Sequence, residues 1–142
     1  CEKLFSAAKT EFKTLDYFYF HNCLYEYVWK DNVRRSNTRM NTWDLFNTYG
    51  RDYRVIVVGD ASMAPYEVVS VGGSVEYMND ESGQVWLQRL RQHFDKTAWL
   101  NPEAEDYWHY TQSIGIIKQI FENHMFPMTL KGVEDMTKYL AR

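Results

Sequence analysis

A carboxylate stands where a strand stops. Val55-Ile56-Val57-Val58 is an unbroken β-branched run, and it ends abruptly in Gly59-Asp60. A run this short and apolar, halted by glycine, reads as a strand covered on both faces in a parallel sheet. In such sheets ligands settle beyond the carboxyl ends of the strands. Asp60 therefore lies at a functional edge. A carboxylate there can bind a metal, orient a substrate or cap the helix that follows.

Other chemistry-bearing residues are less organised. His21 and Cys23 share one side of an extended segment, so a thiol paired with an imidazole base is geometrically allowed. Nothing else in the sequence completes such a pair, and a turn at His21-Asn22 is the simpler reading. His93, His109 and His124 have no common spacing that would build a metal cluster or a catalytic base. Gly72-Gly73-Ser74 lacks the glycine pattern and following lysine of a phosphate loop, so it reads as a hinge. Tyr107, Trp108 and Tyr110 stand beside Glu103, Glu105 and Asp106. Such aromatics either anchor an interface or pack beneath their own loop.

The elements that must position these residues follow from periodicity. Residues 2–13 place Leu4, Phe5, Ala8 and Phe12 on one helical stripe. Leu15–Phe20 and Leu24–Trp29 are aromatic-rich strands joined by a short return. Residues 31–41 read as a polar loop. Thr42 suits the N-cap of a short helix, with Asp44 in its first turn and Gly50 past its end. Tyr53–Val58 is the central strand, and Pro65 opens a short helix. Asn79–Gly83 is a polar turn. Helices are expected over 84–94, over 113–122 with Ser113 as cap, and over 129–140. Strands are expected over 96–100 and 125–128. Pro127 makes the last one edge-like. Residues 103–112 read as a loop with a helical turn.

Strand and helix alternate through the second half. That pattern implies βαβ units, a mostly parallel sheet and helices on both faces. The 142 residues suit one domain with a real core, 1–142, with no internal repeat or interdomain linker. The chain is 45% hydrophobic and 17% aromatic, more than disorder tolerates. A net charge of −3 with scattered Lys and Arg argues against a dedicated nucleic-acid face. No segment approaches the ~20 apolar residues of a membrane span. Two cysteines outside any CxxC pattern do not make a disulfide framework, and free thiols in a reducing, cytoplasmic setting are the expectation.

The first helix begins at once, with no strand before it and no initiator Met at Cys1. In a doubly wound sheet the leading strand lies near the centre. The expectation is a fragment whose first central strand lies upstream. If it folds alone, the gap calls for an exchanged segment, a partner chain forming a homo-oligomer, or a rearranged sheet.

At GDASMAPYE, residues 59–67, the sequence resembles the von Willebrand factor type A (VWA) domains of the CoxE-like group, mostly bacterial proteins. The order of CEKLFSAAKTEF, YFYFHNCLYEYVW, YRVIVVGDASMAPYE, GGSVE, VWLQRL, WLNP and the SIGIIKQIF to MFPMTLKGVEDM tail carries the resemblance across the whole chain. It implies a three-layer αβα, Rossmann-like fold and a metal ion-dependent adhesion site. That site takes a serine-rich Asp motif on the first strand, a Thr from a second loop and an Asp from a third. Asp60 matches the third position. Thr42 is the first choice for the Thr and Thr38, in the same loop, the second. The first motif has no counterpart here, so metal binding by these residues alone is expected to be weak or absent. The implied cofactor is Mg²⁺ or Mn²⁺. The implied role is protein–protein recognition without catalysis, alongside a MoxR-type AAA+ ATPase in assembling or maturing metalloenzymes and other complexes. Two alternatives stand beside it. One is a Rossmann-like hydrolase or transferase using Asp60, for which the sequence offers neither nucleophile nor phosphate loop. The other is a structural interaction domain without a working metal site.

Overall fold

A computed structural model describes residues 14–21, 23–31, 38–71 and 81–141. The stripe over 2–13 and the Gly72-Gly73-Ser74 hinge lie outside the described residues, as do residues 32–37 of the 31–41 loop and residues 79 and 80 of the 79–83 turn. The elements run β1 (Tyr27–Trp29), β2 (Arg39–Asn41), α1 (Thr42–Thr48), β3 (Arg54–Val58), α2 (Pro65–Val69) and α3 (Gly83–His93). They continue with β4 (Lys96–Asn101), a 3-10 helix (Glu105–Tyr110), α4 (Gln112–Ile120), β5 (Met125–Pro127) and α5 (Leu130–Ala141). This is a mixed α/β fold.

β3, β4 and β5 form a parallel sheet in that order, with Val55 opposite Thr97 and Trp99 opposite Met125. Alternation along β4 divides the core in two. Trp99 faces one cluster with Trp86, Leu87, Leu90, Ile114, Ile117 and Phe121 from α3, α4 and the turn after α4. Ala98 and Leu100 face the other, with Met136 and Leu140 of α5. Helices therefore cover both faces of the sheet, as the alternation of elements requires.

The strand covered on both faces is β4, not β3. β4 is buried from Thr97 to Asn101, whereas Val55–Val58 are only half-buried. Among the described residues β3 pairs with one neighbour and β4 with two. Apolar composition alone does not separate a central strand from its neighbour.

β1 and β2 make a separate antiparallel pair, Val28 opposite Met40. The strand expected over 15–20 reduces to a bridge, Tyr19 opposite Trp29, closed by two backbone bonds of 2.7 and 2.9 Å. The tight return is present, since the Cys23 amide donates to His21 O at 2.7 Å. β2 was hidden in the expected loop because three residues with one apolar side chain, Met40, are too few to show a period, and its partner β1 makes it a strand.

Two caps also differ from expectation. Asn41 caps α1, its side chain accepting from the Trp43 amide at 3.0 Å, so Thr42 is the first helical residue. Ser113 lies inside α4, whose N-cap is Thr111. Helix α5 begins at the Thr129 hydroxyl, which accepts from the Gly132 amide at 3.0 Å. Gly132 itself sits against β5, where any β-carbon would fall on the Pro127 carbonyl. Among the described residues no helix is long and apolar enough to cross a membrane.

Candidate functional site

The Asp60 loop emerges at the carboxyl end of β3, and four contacts fix it. Trp99 Nε1 donates to Gly59 O at 2.7 Å, and the indole comes within 3.2 Å of where a Gly59 β-carbon would stand. Asn101 Nδ2 donates to Asp60 O at 3.0 Å, while its Oδ1 accepts from the Glu103 amide at 2.8 Å. Ser113 Oγ donates to Ala61 O at 2.6 Å and accepts from the Met63 amide at 3.0 Å. Both Asn101 and Ser113 are fully buried. These bonds satisfy loop backbone groups that the interior would otherwise leave unpaired.

The loop holds a strained residue. Ala61 has φ of 58°, in the left-handed region, and is buried. A side chain there costs about 1–2 kcal/mol. Such strain persists where surrounding contacts over-determine the backbone, as Ser113 and Asn101 do here. Its effect is to turn the chain sharply after Asp60, leaving that carboxylate exposed. Asp60 Oδ1 accepts from the Ser62 amide at 3.0 Å. Among the described residues its other oxygen faces solvent without a partner.

The loop then enters α2. Pro65 occupies the first turn and Glu67 reaches back to accept from the Ala64 amide at 2.9 Å. The Glu67 carbonyl in turn accepts from the Tyr25 hydroxyl. Thr42 lies behind this point. Its hydroxyl donates to Tyr25 O at 2.6 Å, its amide donates to Glu26 O at 2.7 Å, and it is 0% exposed. Thr42 is thus linked to the Asp60 loop through Tyr25 and α2, with its hydroxyl turned inward. Thr38 stands half-buried just before β2, its carbonyl accepting from the Lys30 amide at 3.0 Å. Among the described residues no group of three or more His, Cys, Asp or Glu side chains is gathered as a metal centre would gather them.

Sequence reasoning passed over Asn101 as a site residue and read Ser113 only as a helix cap. A polar residue closing an apolar strand, TAWLN, and a serine opening an apolar helix, SIGII, were the available signals. Neither names the partner. Cys23 is buried, and burial pushes its thiol up to about 12, so the structure lends no support to its pairing with His21 as a nucleophile. The aromatic group divides. Trp108 is buried and donates to Glu103 O at 2.9 Å, while Tyr107 and Tyr110 are 58% and 76% exposed.

Compared with known proteins, the chain matches no family model, no curated protein and no solved structure. The geometry of the Asp60 loop therefore carries the functional reading.

Proposed function

We propose that this chain is a metal ion-dependent protein-recognition module of the CoxE-like VWA type. The observation that carries the reading is the exposed Asp60 carboxylate, presented at the carboxyl end of a parallel strand by a strained and fully pinned loop. An oxygen ligand with one free lone-pair face suits Mg²⁺ or Mn²⁺, which keep several waters and take few protein carboxylates. An open position on such an ion accepts a carboxylate from a partner. The threonine ligand is Thr42 or Thr38. Thr42 has to break its bond to Tyr25 O to reach an ion, whereas Thr38 is already half-exposed. The resemblance makes a MoxR-type AAA+ ATPase the proposed partner.

Metal titration of the full-length protein tests this. Mg²⁺ or Mn²⁺ at ~100 Kd is expected to add about 2.7 kcal/mol of stability, read as a rise in Tm that Asp60→Ala abolishes. Thr38→Ala and Thr42→Val show which threonine takes part. A Tm indifferent to both ions, or equally raised in Asp60→Ala, would sink the reading.

A further inference from the structure

A second surface, whose lining does not include Asp60, opens beyond Asn101 at the same edge of the sheet. Between the 3-10 helix and the start of α5 there is an open groove of ≈ 460 Å³, across the carboxyl ends of β4 and β5. Its floor is apolar, made by Met125, Phe126 and Met128. Its rim is anionic: Glu103, Glu105 and Asp106 on one side, Asp135 on the other. The cation on that rim, Lys131, is held by Asp135 at 3.0 Å. Among the described residues Glu103, Glu105 and Asp106 have no ion-pair partner. Large exposed side chains follow the lining residues in sequence on both elements. Tyr107 and Tyr110 project from the 3-10 helix, and Leu130, 94% exposed, stands at the first residue of α5.

Charge decides the occupant. Three unpaired carboxylates repel nucleic acid, phosphate groups and anionic membrane surfaces. A purely apolar ligand would strand those carboxylates in a poorer solvent. A lysine or arginine side chain meets both halves of the groove. Its stem lies along apolar surface while its head reaches a carboxylate, and tyrosine faces beside the rim add cation–π attraction.

We propose that this groove docks a basic, partly apolar peptide segment of a protein partner. One long cationic side chain enters over Phe126 and Met128 and pairs with Glu103, Glu105 and Asp106. Flanking apolar residues cover Tyr107, Tyr110 and Leu130. The exposed pairs supply steering and selectivity more than affinity, so binding is weak, salt-dependent and independent of Asp60.

Fluorescence polarisation with a labelled nonapeptide of alternating arginine and leucine tests this, against matched peptides carrying citrulline or glutamate for arginine. The arginine peptide is expected to bind about tenfold or more tighter than either control, given the charge complementarity. Glu103→Gln/Glu105→Gln/Asp106→Asn is expected to weaken it by about tenfold, and Met128→Lys to abolish it. Asp44→Asn/Asp52→Asn/Asp95→Asn removes equal charge away from the groove lining and is expected to leave it unchanged. Asp60→Ala is also expected to leave it unchanged, so failure here is separate from failure of the metal reading. Equal binding of the citrulline peptide, equal weakening by the two triple variants, or no binding of the arginine peptide would overturn the proposal.

Discussion

Ser113 is the side chain on which the Asp60 loop depends most. One hydroxyl satisfies a carbonyl and an amide of the loop at once. Ser113→Ala keeps the helix and deletes both bonds, leaving Ala61 O without its partner in the interior. Losing a buried partner costs about 1–3 kcal/mol, measurable by urea unfolding. The same variant is expected to weaken any Asp60-dependent metal effect, since the left-handed turn at Ala61 loses its support. His124 is a second residue with a readable consequence. Its ring stacks on Tyr139 at 3.7 Å, and Nδ1 is buried without a hydrogen bond. Burial, reinforced by Arg91 and Lys96, holds its pKa below the ordinary 6.5. A base with a lowered folded pKa favours folding when neutral. Its stability contribution is therefore complete above pH about 6.5 and is lost as pH falls below it. Urea midpoints between pH 8 and pH 5, about the range where histidine titrates, are expected to fall less steeply in His124→Phe, which keeps the stack and removes the proton.

At the scale of elements, the join between α5 and β5 is the most constrained. Gly132 lets the first turn of α5 pass against Pro127, and the Thr129 hydroxyl closes that turn. Gly132→Ala improves helix propensity by up to ~1 kcal/mol, yet its methyl falls on backbone that cannot yield. Overpacking against backbone typically costs about 1–3 kcal/mol. The expected outcome is a lower Tm by calorimetry, despite the better helix former. A raised Tm would mean that α5 can shift off the strand. The helices over 83–93 and 130–141 were legible because their apolar positions repeat at helical spacing. β2 was not, and neither was the reduction of 15–20 to a single bridge. Both depend on which strand lies alongside, and local sequence does not record that.

For the whole molecule, parallel strands with helices on both faces were readable from the alternation of β-branched runs and amphipathic stretches. The rank of those strands was not. Val55–Val58 is the more apolar run, yet Lys96–Asn101 is the strand at the middle of the described sheet. Burial belongs to position in the sheet, and position is fixed by distant partners such as α5 and α3. The same reasoning explains the candidate site. Asp60 was visible as a carboxylate after a strand, but Asn101 and Ser113 act on it only once the sheet and α4 have assembled.

The pinning of the Asp60 loop also sets when that loop can exist. Its bonds join residues far apart in the chain: Trp99 to Gly59 across 40 positions, Asn101 to Asp60 across 41, Ser113 to Ala61 across 52. Contacts of that separation repay chain closure late and slow the folding of the chain that needs them. The strained turn at Ala61 has no local bond strong enough to form it early. An emerging or partly folded chain therefore carries Asp60 without its geometry. The loop takes shape only when β4 and α4 dock beside β3, so the readiness of the site to act doubles as a signal that the domain has finished folding.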